Sequence, residues 1–127
     1  MAIMTTKLEA NLVTVGGAQG RQAVRTEYNE PRENMNPGEL LAASLGACMM
    51  TMVGFLASRR GENVMGTTVD VEPSFDEKHS RITAFTVTFH FPEQLTQTQK
   101  DFYAKAAQGC PVHNSLREDI VYKVVVK

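Results

Sequence analysis

The chain has 127 residues, 43% of them hydrophobic, and its 13 basic and 14 acidic side chains leave a formal charge of −1. That length suits one domain, residues 1–127, burying roughly two thirds of its unfolded surface, so no second core is expected. The balanced charge lacks the basic excess that nucleic-acid binders carry, and nucleic acid is not expected as a partner.

At the start of the chain, Met1 to Lys7 lack the charged end, apolar run and small-residue cleavage site of a secretory signal. A reducing cytoplasm is therefore the expected location, and there a protein with two cysteines is more often catalytic or redox-sensing than cross-linked. Leu8, Ala10 and Leu12 alternate with polar neighbours, which predicts a strand. The run Gly16 to Gly20 reads as its turn, and Arg21 to Tyr28 as the returning partner of a hairpin. Residues 29–36 read as a polar loop.

A long helix is punctuated at both ends. Asn36 can cap it, Pro37 suits the first helical position, Glu39 completes a capping box, and Arg59, Arg60 and Gly61 suit the last turn and exit. Such a helix would be about 35 Å long. No charge occurs from Leu40 to Ser58, a stretch long enough to raise a membrane span. Ser44, Gly46, Thr51, Gly54 and Ser58 interrupt it, and amphipathic strand patterns flank it, which favours burial inside a soluble domain over a membrane. Its apolar residues point to nearly every side, as expected of a helix enclosed by sheet.

Val69 and Val71 alternate with polar residues, as do Phe85, Val87, Phe89 and Phe91, so two half-buried strands follow. Thr96 and Gln99 form the capping box of a second helix that should stop at Gly109. Cys110, with Pro111 behind it, caps a short third helix, and Ile120, Tyr122, Val124 and Val126 form the closing strand. The order β-β-α-β-β-α-α-β is that of an α+β domain.

The chemistry rests on the two cysteines, Cys48 within the apolar helix and Cys110 at a helix start. Free cysteine is also an ordinary small hydrophobe of protein cores, so spacing by itself leaves both readings open. The nucleophile is the thiolate, and Cys48 lies too far into its helix to gain from the helix dipole. An arginine from elsewhere would have to serve, with Arg21, Arg25 and Arg32 as candidates. Cys110, beside the free amides of Val112 and His113, is placed to favour its thiolate.

The segment Asn36-Pro37-Gly38-Glu39-Leu40-Leu41-Ala42-Ala43-Ser44-Leu45-Gly46-Ala47-Cys48, followed by Cys110-Pro111-Val112-His113-Asn114-Ser115-Leu116 and a final strand, resembles the OsmC/Ohr family of thiol-dependent hydroperoxidases. The resemblance implies an OsmC-like fold, with antiparallel sheets enclosing a long central helix, and an intertwined homodimer with active sites at the subunit interface. It also implies that Cys48 is the peroxidatic and Cys110 the resolving cysteine. A hydroperoxide would be the substrate and a dithiol the reductant, with no metal or organic cofactor. The leucine and methionines near Cys48 (Leu45, Met49, Met52) suit an organic hydroperoxide, though any buried helix would show them.

The sequence departs from the organic hydroperoxide branch at two positions. Where that branch has an arginine after the Gly-Gly and a glutamate after the Asn-Pro, this chain has Ala18 and Gly38. Arg21 and Glu39 are the nearest substitutes, completing a candidate catalytic set of Cys48, Cys110, Glu39 and Arg21. Glu39 nevertheless lies nine residues before Cys48, half a turn out of phase on an ideal helix, and its capping role explains it without catalysis. Cys110 and His113 have the spacing of half a zinc site, but the sequence shows no second ligand pair. A Cys48/His113 hydrolase would lack an orienting group. His79 and His90 read as solvent-facing. The alternative to a peroxidase is a non-enzymatic redox-responsive or small-ligand-binding module that keeps the fold and the thiol pair.

Overall fold

The computed structural model describes residues 3–127 and divides into two compact units, one ending at Leu41 and the other running from Ala42 to Lys127. In the first unit, β1 (Thr5–Leu8), β2 (Thr14–Gly17) and β3 (Val24–Thr26) form an antiparallel sheet in the order β1-β2-β3. The strand expected over residues 8–12 is not continuous. A 3-10 turn at Ala10–Leu12 breaks it, because Asn11 and Leu12 take left-handed φ values of 62° and 60°, a region that asparagine tolerates better than most residues. The Glu9 amide donates to the Val13 carbonyl at 2.8 Å, closing the turn. The alternation was real, but the chain reverses within it.

Gly16 and Gly17 belong to the end of β2 rather than to the turn. A Cβ at Gly16 would lie 2.6 Å from Thr6 Oγ1, so glycine here permits β1 to cross closely.

Helix α1 (Pro37–Arg60) starts as the residue pattern requires. The Glu39 amide donates to Asn36 Oδ1 at 2.8 Å, and the Asn36 amide donates to Glu39 Oε1 at 2.9 Å, a reciprocal capping box. Gly61, at φ +66°, lets the chain leave. By length and composition α1 could cross a membrane, with a mean hydropathy of 2.0 in its most apolar window. Its buried residues, Ala42, Leu45, Gly46, Met49, Val53 and Ala57, recur at intervals of three and four and make one stripe. The opposite face is exposed in the single chain, with Phe55 54% accessible.

The second unit holds a sheet of β4 (Thr68–Phe75), β5 (Ile82–His90) and β6 (Val121–Val126), with β5 central. β4 pairs antiparallel with β5, whereas β6 runs parallel to it, so this sheet is mixed where a purely antiparallel one was expected. The reason is connective: α2 (Gln97–Ala107) and α3 (Pro111–Ser115) lie between β5 and β6 and supply the crossover that a parallel pair needs. Phe85, Val87 and Phe89 of β5 are fully buried. Gly46 of α1 approaches β4 closely, where an added Cβ would meet Val69 Cγ1 at 3.4 Å and Val71 Cγ2 at 3.5 Å. α2 is capped by Thr96 and Gln99 in a complete capping box. Its buried Tyr103 donates its hydroxyl to Glu62, which also receives Arg60 and Gln99, so the exit of α1 is tied to α2.

Candidate active site

The second unit brings both thiols together. Cys48 projects from the middle of α1 and is half-buried, and Cys110, fully buried, stands at the N-cap of α3. Both are free, and they are close enough for Cys48 to act directly on the ionisation of Cys110.

Sequence reasoning expected the helix start to favour the Cys110 thiolate, and the structure corrects this. Burial pushes the Cys110 thiol up, because a low-dielectric surround penalises the charged form, and its interaction with Cys48 adds to the rise. The amides of His113 and Val112 act in the opposite sense but do not reverse it. A cap position helps a thiolate only where water or donors replace the solvation that burial removes.

Two aromatic side chains, Tyr122 and His113, stand outside the candidate catalytic set. Tyr122 of β6 pairs in register with Phe85 and stacks on its ring at 5.7 Å. The His113 ring lies 4.2 Å from that of Tyr122. Among the described residues, Tyr122 Oη and His113 Nδ1 are both buried without a hydrogen-bond partner. Burial raises the Tyr122 phenol, and charge on Cys110 raises it further. A signal existed in the sequence: Tyr122 is the one hydroxyl on the inward positions of an otherwise aliphatic closing strand. Among the described residues no carboxylate pairs with His113 Nδ1, so that nitrogen has no orienting partner of the kind a Cys-His hydrolase uses. Among the described residues no cluster of three metal-ligating side chains occurs.

The remaining candidates lie in the first unit. Glu39 Oε1 is ion-paired with Arg32 Nη1, not with Arg21. Arg32 also donates from Nε to Glu30 Oε1 at 2.9 Å and from Nη1 to the Asn34 carbonyl at 3.1 Å. The Arg32 guanidinium, followed by the Asn36 amide, holds the Glu39 carboxyl below the usual range. Arg21 is exposed in the turn that follows Gly20 and makes no ion pair among the described residues, and Arg25 pairs with Glu9 at 3.4 Å. Arg32 was distinguishable from the other arginines only in three dimensions, since a loop of eight residues can present any of its charges to the cap. His90 donates to or accepts from Asp70 Oδ2 at 3.0 Å, and His79 lies against Phe75.

The fold has counterparts among known proteins. The family profile described as OsmC-like protein matches residues 30–125. No match is found among the curated proteins. A Psychrobacter arcticus protein named for osmotic stress induction and detoxification response is 25% identical, with a TM-score of 0.89 over 98% of this chain and 95% of that one. An OsmC-like protein from Mycoplasma pneumoniae is 15% identical and superposes with a TM-score of 0.86 over 100% of this chain and 96% of its own. The organic hydroperoxide resistance protein OhrB of Bacillus subtilis, 17% identical, gives 0.72 over 100% and 98%. An α+β fold with two sheets and a long helix, a profile that spans most of the chain and neighbours of this kind agree: the chain belongs to the OsmC-like protein family.

Proposed function

We propose that this protein is a thiol-dependent hydroperoxide reductase, with Cys48 as the peroxidatic and Cys110 as the resolving cysteine. The observation that carries the reading is the meeting of a half-buried thiol and a fully buried one in the same unit. The accessible member can meet a hydroperoxide, and the buried member is shielded until the first has been oxidised. The Cys48 thiolate attacks the O–O bond, an alcohol leaves, and sulfenic acid remains. The Cys110 sulfur then displaces water to form a disulfide, which a dithiol reductant reopens by exchange. Leu45 and Met49, buried on either side of Cys48 along α1, support an alkyl hydroperoxide over hydrogen peroxide.

The exposed apolar face of α1 supports a homodimer, because a helix of this composition gains by covering that face. Free thiols that must be re-reduced suit a reducing cytoplasm. A second reading, a redox-responsive module without fast turnover, draws on the upward push on the Cys110 thiol, which slows disulfide formation.

Stopped-flow oxidation of the reduced protein separates them. A peroxidase reacts with an alkyl hydroperoxide at least about tenfold faster than with hydrogen peroxide and yields an intramolecular Cys48–Cys110 disulfide by mass spectrometry, while Cys110→Ser leaves Cys48 over-oxidised. Persistent free thiols at both positions after treatment would sink the peroxidase reading.

A further inference from the structure

A buried thiol that has to act as a nucleophile must pass its proton to something. In this structure Cys110 is fully buried and charge on it acts on the Tyr122 phenol, while the phenol oxygen and Nδ1 of His113 are both buried and, among the described residues, without hydrogen-bond partners. Buried polar atoms are nearly always hydrogen-bonded, and an orphan costs stability unless it serves another purpose. Here the two orphans lie in rings 4.2 Å apart, and one of those rings belongs to α3, the helix that Cys110 caps. The two elements that bring them there are independent: His113 comes from the first turns of α3, and Tyr122 from β6, where stacking on Phe85 fixes its ring. His113 is only half-buried, so its imidazole joins the enclosed thiol site to the surface.

We propose that Tyr122 and His113 form the proton-handling pair of the resolving thiol. This rests on the peroxidase reading for its place in the cycle. When Cys48 carries a sulfenic acid, the Cys110 proton passes to the pair as the Cys110 sulfur attacks Cys48. The S–S bond forms, the S–O bond breaks, and the departing hydroxide takes up the proton and leaves as water. In the reverse direction, a dithiol that attacks the Cys48 sulfur expels Cys110, and the same pair returns the proton to it.

Two variants test this on the full chain. Tyr122→Phe removes the orphan oxygen and keeps the stacked ring, so its melting temperature should equal or exceed the wild type. His113→Gln removes the imidazole. After rapid mixing of the reduced protein with tert-butyl hydroperoxide, both variants should keep the wild-type rate of Cys48 oxidation and slow the later disulfide step by about tenfold or more, as loss of acid–base assistance does. Disulfide formation in the variants should also become dependent on hydroxide, rising by about tenfold per pH unit, while the wild type rises less steeply. A second arm needs no peroxide: the Cys48–Cys110 disulfide is made with diamide and reduced with dithiothreitol, and both variants should again be slower. If Cys48 fails to react with the peroxide but the second arm shows the effect, the peroxidase reading falls and the proton-handling role stands. Wild-type rates in both arms, or slowed rates with an unchanged pH profile, would overturn the proposal.

Discussion

Gly46→Ala tests the packing that carries Cys48. In the middle of α1 glycine is less favourable than alanine by about 1 kcal/mol, because it gives up more backbone freedom on folding. The added methyl would meet Val69 and Val71 of β4 at 3.4 and 3.5 Å, ordinary contact distances, so it fills space without forcing the helix from the sheet. Burying that methyl contributes up to about 0.8 kcal/mol more. The expected gain is about 1–2 kcal/mol, which for a domain of this size raises the melting temperature by about 4–8 °C. Thermal and urea unfolding would measure it, with an unchanged urea slope showing that the unfolded state is the same. At Gly54 an added Cβ meets no heavy atom within 4 Å, so the same substitution there reports on what covers the open face. If that face stays open, Gly54→Ala gains about 1 kcal/mol from helix propensity, whereas close contact with a second copy turns the gain into a loss. A lowered midpoint for Gly46→Ala would refute the α1–β4 spacing on which the estimate rests.

Other outcomes follow from the same contacts. Glu39→Gln should keep the cap, since glutamine serves in a capping box, and should leave hydroperoxide oxidation of Cys48 within about threefold of wild type. A rate loss of about tenfold or more in the folded variant, on the scale of lost electrostatic preorganisation, would instead make Glu39 catalytic. The Glu62 carboxyl is held at about 2, first by the Tyr103 hydroxyl and then by Arg60 and Gln99. Its folded value lies below its ordinary value of 4.5, so its stabilisation is complete above about 4.5 and disappears as pH falls toward 2. Glu62→Gln should flatten the melting-temperature profile across that interval, and an unchanged acid profile would count against the network. If α1 pairs with a second copy, the melting temperature should rise with protein concentration, and a monomer by light scattering that stays folded at submicromolar concentration would exclude the dimer.

Local physics was legible in the residues wherever a pattern could be satisfied by near neighbours. Asn36, Pro37 and Glu39 announced the start of α1, and Thr96 with Gln99 that of α2, because a cap is closed by amides three residues away. Alternation located β4, β5 and β6, and the motifs around Cys48 and Cys110 pointed to the family. What the sequence left open depends on partners distant along the chain. The turn at Ala10–Leu12 defeats an unbroken alternation, and the parallel seat of β6 depends on a crossover rather than on its own residues. Choosing Arg32 for Glu39 needed the path of a loop. Only the tertiary structure showed that Cys110 loses at its buried site the ionisation its cap position promised, and that the touching rings of Tyr122 and His113 hold buried atoms unpaired among the described residues. Solvation and electrostatics are summed over everything that surrounds a group, and those surroundings exist only once helix and sheet have packed.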